Sequence, residues 1–368
     1  MPLEFVVESQ LVAWGYGPWF SQSFASLARP DLVPARVVAD LGPQLDVVDA
    51  SGAPRAAQLS GRLRHTAAGA ELPGVGDWVA VAAPAGDAPA VVHAVLPRRT
   101  RFVRRAAGRG DREQVVAANV DSLFVVTSAN RDASARRLER YLIAAWDSGA
   151  APVVVVSKID LVDPGELAAT LAEIAAVAPG VPIVAVSAHT GDGLDQLAAR
   201  LRPGDTIALI GSSGVGKSSL VNRWLGHDHQ IVLPIDDRDR GRHATTRREL
   251  FALPGGALVI DTPGMRSFGL LDAGSGLDDT FADIAALAAA CRFRDCQHLG
   301  EPGCAVDAAI DAGELDPARR DGLHKLGREL AAAERRRDPA VARDERARIR
   351  AVNRALRARS RADPKLRK

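Results

Sequence analysis

The chain has 368 residues, 47% of them hydrophobic and 25% charged, the composition of an ordinary soluble globular protein with room for roughly two to three domains. No apolar stretch approaches the roughly 18 residues needed to span a bilayer, and the start MPLEFVVESQ has no basic region ahead of an apolar run, so a cytoplasmic protein with no membrane partner is expected. The net charge of only +2 hides an asymmetry: Arg335 to Lys368 holds 14 Lys/Arg against 4 Asp/Glu, which makes that tail +10 and the remainder −8.

Residues 1–34 carry Trp14, Trp19 and Phe20 among Gly, Ser and Pro with no sustained period of 2 or 3.6; an extension of undefined structure is expected. From Ala35 to Leu96, short β-type runs (Ala35 to Ala39, Gln44 to Val48, Asp77 to Ala82, Ala90 to Val95) alternate with Gly, Pro and Asp turn signals. That spacing predicts a small antiparallel barrel over 35–97. The basic, Gly-containing stretch Arg98 to Arg112 reads as a loop between domains rather than a packed element.

After it the pattern becomes β-α-β: a strand Asp121 to Ser128, a helix with Leu138, Tyr141, Leu142 and Ala145 on one face, and the buried-strand run Pro152 to Ser157. The alternation continues with a helix near Gly165 to Val177, a strand Val181 to Ser187, a helix near Leu194 to Leu201 and a strand Asp205 to Ile210. A helix over Lys217 to Leu225 and strands near Arg248 to Leu253 and Ala257 to Asp261 complete a parallel α/β sheet over 98–270. Residues 271–334 then read as helical and cysteine-bearing, and 335–368 as a basic tail.

Gly211-Ser212-Ser213-Gly214-Val215-Gly216-Lys217-Ser218 fits G-x-x-x-x-G-K-[ST] between a buried strand and a helix, the context that makes the pattern a phosphate-binding loop continuing through Ser219. Glycines let the backbone wrap a phosphate, and the N–H groups and helix N-terminus favour its charge. Lys217 is suited to the β and γ phosphates and Ser218 to Mg²⁺. Such a loop does not choose between ATP and GTP. Asp160 in Ser157-Lys158-Ile159-Asp160 follows a β-run, where open α/β sheets bind ligands. Its carboxylate can accept from both N1–H and N2–H of guanine, a donor pair adenine lacks, while the stem of Lys158 covers the base. Ser187-Ala188-His189 follows the next strand, where the Ala188 N–H can meet guanine O6. Asp261-Thr262-Pro263-Gly264 matches D-x-x-G, in which the Asp holds Mg²⁺ through water and the Gly senses the γ-phosphate. A threonine of Gly241-Arg242-His243-Ala244-Thr245-Thr246 would complete the Mg²⁺ shell. Met265, not Gln, follows Gly264, so the water-positioning Gln of the best-known small GTPases has no counterpart here.

The only cysteines, Cys291, Cys296 and Cys304, join His298 as three thiolates and an imidazole. This is a full tetrahedral set for one structural zinc ion, with no position open for water. The tail reads either as an Arg-rich helix on RNA phosphate, with Ile349, Val352 and Leu356 as a narrow apolar stripe, or as a solvated end.

The order base reader, Ala loop, phosphate loop, threonine switch, D-x-x-G resembles that of the circularly permuted GTPases. With V-G-D-W-V at Val75 to Val79, A-N-V-D at Ala118 to Asp121, G-R-H-x-T-T at Gly241 to Thr246 and the cysteine spacing, the chain resembles the ribosome small-subunit-dependent GTPase A family over about Ala35 to Leu330. The resemblance implies an α/β protein with an N-terminal OB-fold β-barrel, a circularly permuted P-loop GTPase domain and a C-terminal zinc-binding helical domain. It implies a cytoplasmic monomer that hydrolyses GTP to GDP, stimulated by the 30S subunit and contacting 16S rRNA during late small-subunit maturation. By position, Thr245 becomes the Mg²⁺-binding switch residue and His243 the residue that positions the attacking water. Ser157 stands where the family usually has Asn, so fewer hydrogen bonds bracing that loop are expected. Two other functions fit the motifs: an RNA-binding module that holds GTP only as a structural ligand, and a P-loop ATPase acting on nucleic acid.

Overall fold

In the computed structural model, residues 10–82, 88–105, 113–130, 134–225, 248–261 and 274–337 are described. Five strands, β1 (Val33–Asp40), β2 (Leu45–Val48), β3 (Pro54–Leu59), β4 (Trp78–Ala82) and β5 (Ala90–Val95), close on themselves in the order β1-β2-β3-β5-β4-β1. Only the β3–β5 pair is parallel. This is the expected OB-type barrel, with Val37, Val47, Ala57, Val79, Val81 and Val92 filling its interior. Strand β3 and the short helix α2 (Gly61–Thr66) carry little apolar periodicity, and the sequence reading missed both.

One reading the sequence left open is settled here and one expectation fails. The N-terminal segment is built into the fold in its described part: helix α1 (Pro18–Ala25) and the turn before it bury Leu11, Tyr16 and Phe20 against Trp78 and Leu96. The Tyr16 and Trp78 rings lie 4.7 Å apart. These apolar groups answer to a distant tryptophan, so no local period betrays them. The basic stretch after Arg98 is likewise no plain loop, because β6 (Arg101–Arg105) pairs antiparallel with β7 (Glu113–Ala118). Phe102, 1% exposed, anchors that hairpin in the core, and the arginines around it masked the strand signal.

The second half builds a six-stranded sheet in the order β10-β9-β8-β11-β13-β12: β8 (Ser122–Ser128), β9 (Ala151–Ser157), β10 (Ile183–Ala185), β11 (Thr206–Ile210), β12 (Arg248–Ala252) and β13 (Leu258–Asp261). All pairs are parallel except β12–β13. Helices α3 (Ala135–Ser148), α4 (Pro164–Val177), α5 (Leu194–Ala198) and α6 (Lys217–Leu225) connect its strands. Leu138, Leu142 and Ala145 face the core from α3 as their spacing predicts. The barrel joins this sheet directly, since β1 pairs with β12 at Ala39↔Glu249 and Asp40↔Arg248.

Two motifs from the sequence meet at that junction. Gly76, at φ +91, lies so close to the Ala118 carbonyl that a Cβ would stand 2.1 Å from it, and Asn119 Nδ2 donates to the Gly76 carbonyl at 3.0 Å. Asp77 is fully buried, accepts from Gly74 N–H at 2.8 Å and is gripped at both oxygens by Arg98 at 2.7 Å. Burial pushes the Asp77 carboxyl up and Arg98 opposes the rise.

Helices α7 (Gly274–Thr280), α8 (Ala282–Ala288), α9 (Ala305–Asp311) and α10 (Pro317–Arg337) pack as a small C-terminal core with Ile143 of α3. Arg319, 4% exposed, ties them to the sheet layer by donating to Glu139 at 3.0 Å, to both Asp283 oxygens at 2.7 and 3.1 Å, and to the carbonyls of Thr280 and Val177. Removing one partner of such a buried, satisfied cluster leaves charge without compensation. Arg319→Ala is therefore expected to destabilise the protein by about 3–5 kcal/mol, read as a lower urea midpoint; an unchanged midpoint would show that the clamp contributes nothing. No described helix is long and apolar enough to cross a membrane.

Candidate functional site

Strand β11 lies inside the sheet between β8 and β13. Its carboxyl end turns directly into the Gly-rich loop and then into α6. Gly211 is required there because a Cβ would stand 2.2 Å from the Val126 carbonyl. Buried Val215 pins the loop to the core, and the Leu220 N–H bonds the Gly216 carbonyl at 2.9 Å to start the helix. Lys217 Nζ lies over the loop, donating to the carbonyls of Gly211 and Ser212 at 2.7 and 2.6 Å.

The S-K-I-D segment leaves the end of β9, which pairs with β8 in parallel. Ser157 does brace the loop: its Oγ is 3.0 Å from the Thr127 carbonyl and 2.5 Å from the Val215 carbonyl, linking β9 to the phosphate loop. Lys158 adopts φ +60, a left-handed conformation that costs a non-glycine residue about 1–3 kcal/mol. That turn sends its ammonium 2.6 Å from the Gly214 carbonyl, so its stem spans the gap between base loop and phosphate loop. Asp160 is exposed in the 3-10 turn Ile159–Leu161. Beyond β10, Ser187 Oγ accepts from the His189 and Thr190 N–H groups at 3.2 and 3.1 Å. Among the described residues no acceptor takes the Ala188 N–H.

The structure brings these pieces to one cleft of about 530 Å³, lined by Ser157, Lys158, Asp160, Ala188, Gly216 and Ser219, with Leu161 and Leu220 as apolar surface. Ser212, Ser213, Gly214 and Ser218 belong to the loop at its wall. Asp261 ends β13, one residue past Ile260, the partner of Ala208 on β11; only its backbone is described. His243, Thr245 and Gly264 lie outside the described residues. The sequence reading missed Arg137 at the start of α3, whose Nη1 donates to Ser212 Oγ at 2.6 Å. The only sequence signal for it is an arginine in the first turn after β8.

Cys291, Cys296, His298 and Cys304 converge as expected, their ligand atoms all within 4.8 Å of one another. His298 Nδ1 is 3.7 Å from Cys291 Sγ and 3.4 Å from Cys304 Sγ, near the edges of about 3.5–3.8 Å that Zn–S and Zn–N bond lengths impose on a tetrahedron. The Ala305 and Asp307 N–H groups, at the start of α9, point at Cys291 and Cys304 sulfur at 3.3 and 3.4 Å. Glu301 accepts the Gln297 and Leu299 N–H groups at 3.0 and 2.7 Å and so folds the intervening loop. The donor set and spacing fit a closed four-ligand metal site.

The RsgA GTPase family model matches residues 95–271. The small ribosomal subunit biogenesis GTPase RsgA of Opitutus terrae is 50% identical over 349 residues, covering 92% of this chain and 94% of its own length. The chain belongs to the RsgA GTPase family. As a member it is a GTP hydrolase, and solved structures agree with the fold. YjeQ from Thermotoga maritima aligns at TM-score 0.62 and 27% identity over 81% of this chain and 98% of that one. YloQ, a circularly permuted GTPase, aligns at TM-score 0.59 and 25% identity over 82% and 96%. The permutation is visible in the sheet: β9 with the S-K-I-D loop precedes β11 in the chain, yet both reach the same cleft edge.

Proposed function

We propose that this RsgA-family chain is a guanine-specific GTPase acting in late maturation of the small ribosomal subunit, stimulated by the 30S particle and contacting 16S rRNA. The observation that carries the guanine-specific part is the single cleft shared by the phosphate loop, Lys158, Asp160 and the Ala188 N–H. The name borne by the Opitutus terrae relative supports the ribosomal part. Asp160 reads N1–H and N2–H of guanine, Ala188 meets O6, and Lys158 lies along the base. The N–H groups of Gly211 to Ser219 and the Lys217 ammonium hold the phosphates. Ser218, Asp261 and Thr245 would hold Mg²⁺, which supplies charge neutralisation at the β and γ phosphates. Gly264 senses the γ-phosphate and His243 orients the attacking water.

The domain limits belong to the same reading: an OB barrel over 35–97, a permuted GTPase domain over 98–270, a metal-binding helical domain over 271–334 and a basic RNA-contacting tail over 335–368. The described N-terminal segment, packed on Trp78, serves as a brace for the barrel. Zinc is the ion suited to the Cys291, Cys296, His298, Cys304 set, in a structural role.

Phosphate release from GTP, measured with and without purified 30S subunits and against excess ATP, tests the reading. Slow turnover alone, at least tenfold acceleration by the subunit and no competition by ATP are expected. Equal rates with and without the subunit would remove the ribosomal part, and tight ATP competition the guanine part.

A further inference from the structure

The phosphate loop carries one cation of its own, Lys217, and the chain has Met265 where a water-positioning Gln would follow D-x-x-G. A second cation reaches the same loop from another element. Arg137, in the first turn of α3, donates from Nη1 to Ser212 Oγ at 2.6 Å. Ser212 is also the residue whose carbonyl holds Lys217 Nζ at 2.6 Å. Since a phosphate-loop lysine serves the β and γ phosphates, its perch on Gly211 and Ser212 marks that end of the loop as the γ end. The guanidinium and the ammonium therefore converge on one residue, on the side where negative charge shifts as the γ-phosphoryl group transfers.

Helix α3 is held so that this approach is preorganised. Two residues on, Glu139 is locked by buried Arg319. One further on, Arg140 Nη2 donates to both carboxylate oxygens of Glu329 on α10 at 2.7 and 2.8 Å. The first turn of α3 is thus fixed to the C-terminal helices on one side while Arg137 extends to the phosphate loop on the other. An exposed, always-charged guanidinium with a planar donor fork suits phosphate oxygens better than the serine hydroxyl it meets here.

We propose that Arg137 is an arginine supplied in cis to the GTPase site, which leaves Ser212 Oγ to neutralise charge on the transferring γ-phosphoryl group. The inference rests on reading Gly211 to Ser218 as the phosphate site. In the reaction, water oxygen bonds the γ phosphorus, the bond from that phosphorus to the β–γ bridging oxygen breaks with its electron pair staying on that oxygen of GDP, and the proton lost by the water ends on the released phosphate or in solvent. Arg137 transfers no proton and acts through charge alone.

The test compares the full-length wild type with Arg137→Ala, Arg137→Lys, Arg136→Ala and Lys217→Ala, in single-turnover hydrolysis and in binding of a fluorescent GTP analogue and of GDP with aluminium fluoride. Arg137→Ala is expected to lower the hydrolysis rate by about 100-fold or more, to keep GTP affinity within threefold and to lose the aluminium fluoride complex. Arg137→Lys recovers less than a tenth of the rate, because a point charge replaces the fork. Arg136→Ala, exposed one position earlier, keeps the wild-type rate. An Arg137→Ala rate within threefold of wild type, or a loss expressed only in GTP affinity, overturns the proposal. Lys217→Ala separates the two readings. If it is inactive while Arg137→Ala is not, only the Arg137 inference fails; if it is fully active, the phosphate-loop reading fails first.

Discussion

Asp160→Asn is expected to weaken GTP binding on the order of 10³-fold and to create affinity for xanthine nucleotides. A carboxylate offers two acceptors to the two donors on the guanine edge, N1–H and N2–H. A carboxamide keeps one acceptor and turns a donor toward N2–H, so one charge-assisted bond is lost and two donors face each other. Together these cost roughly 3–5 kcal/mol, and every 1.4 kcal/mol is tenfold in affinity. Xanthine has a carbonyl where guanine has its amine, so the same carboxamide matches it. The fold should not suffer, because Asp160 is exposed and its turn is anchored by its neighbours: Ile159 packs on the core and the Leu161 N–H bonds the Lys158 carbonyl at 3.1 Å. Displacement of labelled GTP by GTP, XTP and ATP measures the switch. GTP affinity unchanged in the variant would show that Asp160 is not the base reader.

What the sequence made legible follows from the range of the interactions involved. The phosphate loop, the S-K-I-D segment and the Cys/His set are local strings whose chemistry needs those residue types at that spacing; the fold gathers the first two at one cleft and the third into one cluster. Buried-strand runs such as Val153 to Val156 and the helix face of Leu138, Leu142 and Ala145 are also local, and their elements are found within a few residues of the expected bounds. The misses are of another kind. Leu11, Tyr16 and Phe20 are buried by Trp78, and Phe102 by a hairpin whose other strand begins at Glu113. Arg36, almost wholly buried, bonds Thr206 Oγ1 at 2.8 Å and the Gly76 carbonyl at 3.3 Å. Burial lowers its pKa to about 10. Nothing near Arg36 in the chain distinguishes it from an arginine on the surface.

The C-terminal helices illustrate the same point and constrain how the molecule moves. Chain order places D-x-x-G shortly before them, which by itself suggests a lever swinging on that connection. Yet Gly276 packs so closely on α3 that a Cβ would stand 2.4 Å from the Ile143 carbonyl, and Arg319 closes the joint. Arg319 and Glu139 lie far apart in the chain and only the fold pairs them. Motion that begins at the C-terminal helices must therefore engage α3, the helix whose first turn touches the phosphate loop through Arg137.

Withdrawing the metal is expected to unfold the segment around the four ligands while the barrel and sheet persist. The stretch from Ala289 to Cys304 contains no helix or strand, so its shape depends on what joins Cys291, Cys296, His298 and Cys304. The apolar core beneath it is small: Phe281, Ile284, Val306, Ala309, Leu315 and Leu326 around Ile143. Structural zinc contributes on the order of 10–16 kcal/mol in small zinc-dependent folds, as much as burial of such a core supplies at about 1.5–3 kcal/mol per large apolar side chain. Without metal, burial pushes the Cys304 thiol up to about 12, so a proton occupies it at neutral pH. Binding metal must displace that proton, and affinity therefore falls as pH falls. Emission spectroscopy should find one zinc per chain, and a strong chelator, or Cys304→Ser, should open sites between 289 and 304 to protease. The opening should occur at lower chelator concentration at pH 6 than at pH 8. A metal-free protein with unaltered protease resistance would remove the structural role. Helix α10 should stay in place throughout, because its holds on α3, Arg319 with Glu139 and Glu329 with Arg140, do not involve the ligands.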